Sequence, residues 1–120
     1  MMEGVFMRFC FVIFRYFPFG GLQRSMLNIA LACVNAGHHI TVYTTEWVGD
    51  HIPSINVVEL PGKHKKTWKR DAVFAKLFLK MVDTSCFDLV VGFNKIPGLD
   101  IYYSGDTFFA VLAHDNKHAW

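Results

Sequence analysis

The chain has 120 residues, of which 52% are hydrophobic and 18% charged, with a formal net charge of +2. That is the length of one domain with enough apolar content to bury a core, which excludes a disordered tail, and the near-neutral balance makes no case for binding nucleic acid. The charge is uneven all the same, because Lys63, Lys65, Lys66, Lys69 and Arg70 gather five of the twelve Lys and Arg residues into one short segment.

Phe9 to Phe14 is a continuous apolar run rich in β-formers, which predicts a strand covered on both faces. Glu3 and Arg8 interrupt the apolar N-terminus, no small-residue cleavage site follows, and Arg15 closes the run short of a membrane span. It therefore reads as a strand and not as an export signal. Met7 is an internal alternative start, with residues 1–6 as an N-terminal extension. Pro18 stops the strand and Gly20-Gly21 turns the chain. Leu22, Met26, Ile29, Ala30, Cys33 and Val34 then recur at helical spacing, predicting a helix from Leu22 that stops at Ala36-Gly37. His39 to Thr44 alternates as a second strand, and strand, helix and strand with short joints make a βαβ unit with parallel strands.

Glu46 to Ser54 has no period and reads as a loop, and Ile55 to Leu60 reads as a third strand ended by Pro61-Gly62. After the basic segment a helix is predicted from about Asp71 to Thr84. Val73, Phe74, Leu77, Phe78, Met81 and Val82 form its buried stripe, and Lys76 and Lys80 face solvent. Phe87 to Phe93 is a fourth, strongly apolar strand, Asn94 to Gly98 a loop at its C-terminal end, and Ile101 to Ser104 a fifth strand before Gly105-Asp106 turns the chain into Phe108 to Leu112. The fold class is α/β, a Rossmann-like parallel sheet with flanking helices. Cys10, Cys33 and Cys86 are odd in number, lack CxxC spacing and lie in apolar runs, so they read as reduced core thiols of a cytosolic protein. The tandem His38-His39 enters a strand, where neighbours point to opposite faces, and reads as structural and not as a metal site.

The chemistry is expected at Tyr16 to Arg24. A helix that opens on a glycine pair leaves backbone N–H groups unpaired at the positive end of its dipole, and in Rossmann-type domains that is where phosphates are met. A plain tight turn accounts for the same residues. Arg24 stands on the first turn, where a cation is unfavourable unless an anion is near.

Several blocks together carry a resemblance. Tyr16-Phe-Pro-Phe-Gly-Gly-Leu-Gln-Arg24, Gly37-His-His39 with Val42-Tyr-Thr44, Trp47 with Gly49-Asp50, and Val90-Val-Gly-Phe-Asn-Lys95 with Pro97-Gly-Leu-Asp100 keep an order and spacing. In these the chain, from about Met7 to Asp106, resembles the N-terminal part of the lipopolysaccharide core glucosyltransferases, retaining enzymes of glycosyltransferase family four with the GT-B fold. The resemblance implies that residues 7–120 are a truncated N-terminal, acceptor-side Rossmann-like domain, and that the C-terminal donor domain is absent. It implies transfer of glucose from UDP-glucose to a heptose of the lipopolysaccharide inner core, at the cytoplasmic face of the inner membrane as a peripheral protein. It implies no metal ion and no nucleic acid, and leaves this fragment inactive by itself.

Glycosyl transfer develops positive charge at the sugar carbon and negative charge on the departing diphosphate, so the site needs phosphate donors and a carboxylate or carbonyl near the sugar. By resemblance Gly20 and Gly21 approach the donor diphosphate, and the cation at Arg24 on the same turn points to contact with the diphosphate or the acceptor. Asp106 matches the acidic residue facing the reacting sugars and is the candidate catalytic group; a turn or N-cap Asp is its plain alternative. Asn94 and Lys95, at a strand's C-terminal end, and Asp100 are candidate substrate contacts, and for each a solvated loop residue is the plain alternative. Lys65 and Lys66, with Trp68 beside them, suit a phosphorylated lipopolysaccharide core or an anionic membrane surface, or else form a solvated face. Ser25 stands where an acidic residue is expected in that family, a departure that bears on sugar selectivity. Two other functional classes stay open: a membrane-associated module binding anionic glycolipid, and an inactive truncated remnant.

Overall fold

The computed structural model describes residues 6–61, 67–94, 96–103 and 108–109. In chain order the elements are β1 (Arg8–Val12), β2 (Arg15–Tyr16), α1 (Gly21–Asn35), β3 (His39–Thr44), β4 (Glu46–Trp47), β5 (Ile55–Glu59), α2 (Thr67–Met81), a 3-10 turn (Thr84–Cys86), β6 (Leu89–Gly92), β7 (Ile101–Tyr103) and β8 (Phe108–Phe109). The main sheet has the order β5-β3-β1-β6-β7-β8. Every neighbouring pair is parallel except β7 and β8. β1 is thus central, with β3 on one side and β6 on the other.

Centrality explains the apolar run. Residues 10–14 are all at most 3% exposed, and successive side chains go to opposite layers as the pleat requires. Phe11 and Ile13 join Val42, Val91 and Phe93 under α1, which contributes Met26 and Ala30. Cys10, Val12 and Phe14 join Val90 under α2, which contributes Phe74 and Phe78. Each such buried large side chain stabilises the fold by about 1.5–3 kcal/mol. Burial also pushes the Cys10 thiol up to about 12.

α1 ends where its composition says it should. His38 N–H donates to Cys33 O at 3.0 Å and Gly37 N–H to Val34 O at 2.9 Å, and Gly37 has φ +96°. This is a Schellman cap, which needs a left-handed residue just past the helix. His38 then accepts the Met7 N–H on Nδ1 at 2.9 Å, so its expected structural part is visible.

Other elements differ from expectation. Glu46–Trp47, within the segment expected as a loop, is a short strand, because the chains leaving β1 and β3 run on side by side and pair β2 with β4 in parallel. Tyr16 and Trp47 stack there with ring centroids 3.9 Å apart, and the Trp47 N–H donates to Glu59 Oε2 at 2.8 Å. α2 starts at Thr67 and stops at Met81, earlier at both ends than its stripe indicates, and a 3-10 turn at Thr84–Cys86 follows its end. Asp83 caps that turn, accepting Ser85 N–H at 3.1 Å and Ser85 Oγ–H at 2.6 Å; these bonds hold its carboxyl below the usual range. Met81 is 56% exposed and not in the stripe. Cys86 is exposed and is not a core thiol; Cys10 is buried and Cys33 half-buried, all three free. Among the described residues no helix is long and apolar enough to cross a membrane.

Candidate functional site

Between β1 and β6 the connections leave in opposite directions, and in open α/β sheets the crevice beyond the C-terminal ends of two such strands is where ligands bind. Here the two ends are tied together. Asn94 Oδ1 accepts the Phe14 N–H at 2.6 Å, while Phe14 O accepts Thr44 Oγ–H at 3.0 Å, Thr45 Oγ–H at 2.7 Å and Thr45 N–H at 2.8 Å. Phe14 thereby leaves the ladder, which is why β1 ends at Val12 and not at Phe14.

The glycine pair lies at this rim. Gly20 is the N-cap of α1 in extended conformation, with no side chain capping the helix and no acidic residue in its first turn. The first intrahelical bond runs from Arg24 N–H to Gly20 O at 2.9 Å, so the amides of Gly21, Leu22 and Gln23 have no acceptor within the helix. The two glycines differ. A Cβ on Gly20 would overlap Gln23 Oε1 and the Phe17 ring, whereas a Cβ on Gly21 would meet nothing within 4 Å. A side chain at Gly20 would have to displace the ends of Gln23 and Phe17, whereas Gly21 borders open space at the helix start. Arg24 is exposed on the same turn.

Beside the cradle is a hollow of about 260 Å3 lined by Phe14, Arg15, Phe17, Gln23 and Asn94. Gln23 Nε2 donates to Arg15 O at 3.0 Å. Arg15 Nη2 lies 3.1 Å from Glu46 Oε1, with the two side chains 42% and 31% exposed, and Arg15 Cζ is 5.8 Å from the centroid of the Phe17 ring. Of these residues the sequence pointed to Asn94 by itself, and to Phe17 and Gln23 only as members of the Tyr16 to Arg24 stretch. Arg15 was legible as a cation ending an apolar strand, the signal that could have marked it. A larger hollow, about 590 Å3, lies toward the other end of the sheet against Arg8, His39 and Asn56 and is lined by none of the candidate residues.

Asp100 is set apart from the other candidates. Its carboxylate accepts the Val90 N–H at 2.8 Å and its own N–H donates to Val90 O at 2.9 Å, so it holds the start of β6. At 3.3 Å per residue that is roughly 13 Å along the strand from Asn94. One oxygen of its carboxylate is therefore engaged by the fold at the start of β6. Lys65, Lys66, Lys95 and Asp106 lie outside the described residues. Among the described residues no group of three or more His, Cys, Asp or Glu is arranged to hold a metal ion.

No protein-family model matches the chain. It is 38% identical over 107 residues to the lipopolysaccharide glucosyltransferase WaaG of Escherichia coli strain K12, a match covering 89% of this chain and 29% of that protein. Among solved structures it resembles the crystal structure of WaaG, a glycosyltransferase involved in lipopolysaccharide biosynthesis, with a TM-score of 0.75 and 35% identity over 92% of this chain and 29% of that chain. This chain thus spans less than a third of the length of either relative. The parallel sheet with flanking helices expected from the sequence is the observed one, and it matches part of the GT-B fold of WaaG. In sequence and in fold, this chain is similar to a partial, N-terminal stretch of the lipopolysaccharide glucosyltransferase WaaG.

Proposed function

We propose that this chain is the acceptor-side, N-terminal portion of a glycosyltransferase of lipopolysaccharide biosynthesis, which transfers glucose from UDP-glucose to an inner-core heptose with retention of configuration. The observation that carries the reading is the likeness to WaaG in both sequence and fold. The open N–H cradle at Gly21 supports it chemically, since fixed donors at a helix start offset the charge that builds on a departing diphosphate. In this reading Asp106 faces the reacting sugars, Asn94 and Lys95 border the acceptor, no metal ion takes part, and Lys65 and Lys66 hold the protein to the cytoplasmic face of the inner membrane. A donor domain following this one supplies most contacts to the nucleotide sugar, so the chain alone turns over no substrate.

The test replaces the matching stretch of WaaG by this chain. The chimera is given radiolabelled UDP-glucose and lipopolysaccharide from cells lacking that glucosyltransferase. Label enters the lipopolysaccharide with the chimera and not with the chain alone. A folded chimera that binds UDP-glucose and transfers nothing would remove this assignment.

A further inference from the structure

The hollow at the end of β1 differs in kind from the glycine cradle. Gln23 and Phe17 stand between the two, for both line the hollow and both fill the space over Gly20, while neither glycine lines it. At about 260 Å3 it has room for one sugar ring and little more. Phe17, whose ring also packs on Phe19 and under the Arg15 guanidinium, lines it with apolar carbon, and the Asn94 carboxamide, its oxygen already taken by Phe14, offers N–H donors.

Arg15 supplies the charge. Its pair with Glu46 joins two partly exposed side chains, and a pair of that kind contributes little. Its Nε–H is buried with no acceptor, an arrangement that leaves a strong donor unused. A small turn of the guanidinium into the hollow releases that N–H and presents two parallel donors, the fork that carboxylate and phosphate oxygens accept. We propose that this hollow is a subsite for an acidic sugar of the acceptor, with Arg15 binding its carboxylate or phosphate. Assigning that sugar to the acceptor rests on the transferase reading above; the anion site itself does not.

The experiment is an NMR titration of the isotope-labelled chain with glucuronate, with glucose 6-phosphate and with neutral glucose, reading Arg15 Nε–H and the Asn94 and Gln23 side-chain amides. The acidic sugars move these signals saturably, and glucose binds about tenfold more weakly or worse, the loss of one charge-assisted bond. The tighter of the two acids identifies the substituent. Arg15→Gln removes the discrimination and Arg15→Lys restores part of it. Should either variant fail to fold, the unmutated titration still decides. Shifts confined to the backbone amides of residues 20–23, displacement of the acidic sugars by UDP, or no response from a folded chain would each overturn the proposal. A chimera without transfer, beside an intact Arg15 response, would count against the transferase reading alone.

Discussion

Alanine at each of the two adjacent glycines separates packing from ligand space. At Gly21 the new methyl meets nothing within 4 Å and the backbone is already helical, so the gain is the reduced freedom of the unfolded chain, about 0.4–1 kcal/mol. At Gly20 the methyl displaces the Gln23 carboxamide, whose bond to Arg15 O is worth about 1 kcal/mol, and pushes on the Phe17 ring at a further cost of about 1 kcal/mol. Offset by the same unfolded-state gain, Gly20→Ala loses about 1–1.5 kcal/mol. For a chain of this size these values correspond to Tm rising by about 2–4 °C for Gly21→Ala and falling by about 4–6 °C for Gly20→Ala, measured by thermal circular dichroism. In the chimera the order reverses for Gly21→Ala. If the proposed diphosphate contact is made there, the more stable variant loses about ten- to a hundredfold in kcat/KM, the methyl costing one charge-assisted bond of about 1.5–3 kcal/mol. A lowered Tm for Gly21→Ala would refute the open space, and a raised Tm with full transfer would refute the cradle.

Asn94→Ala removes the bond from the Phe14 N–H and destabilises by about 0.5–1.5 kcal/mol, read from urea unfolding; an unchanged midpoint would show that the strand ends are not tied there. Asp100→Asn costs about 1 kcal/mol and leaves transfer by the chimera unaltered, while Asp106→Ala abolishes transfer with the melting curve intact. Since the folded Cys10 thiol is held up at about 12 against an ordinary 9.0, its contribution is whole below pH 9 and falls as pH rises from there toward 12, by about 1.4 kcal/mol per unit. Tyr16 and Tyr43 are shifted up by burial too, so the measurement is the difference between the chain and Cys10→Ala in alkaline urea melts. A thiol reagent at neutral pH modifies exposed Cys86 first and Cys10 only on unfolding.

What the chain alone determined is what local pattern can carry. The unbroken apolar run of Phe9 to Phe14 announced a strand covered on both sides, helical spacing ended by Gly37 announced α1 and its cap, and alternation announced β3 with the same bounds as observed. These depend on neighbours within a few residues, so composition and period suffice. The ordered blocks likewise pointed to the WaaG-like stretch that sequence and fold comparison support.

Tertiary structure decided everything that depends on register between distant segments. Phe14 and Asn94 are 80 residues apart in the chain, and only the β1–β6 pairing brings them within a hydrogen bond. The same pairing, continued to β7, turns the Asp100 carboxylate onto β6 and away from the rim. The exposure of Met81 and Cys86, the β2–β4 pair and the Arg15 hollow follow from where elements stop and what then packs beside them. No periodicity records that, because a one-residue change in where a strand ends alters which side chains meet without altering the pattern that made the strand.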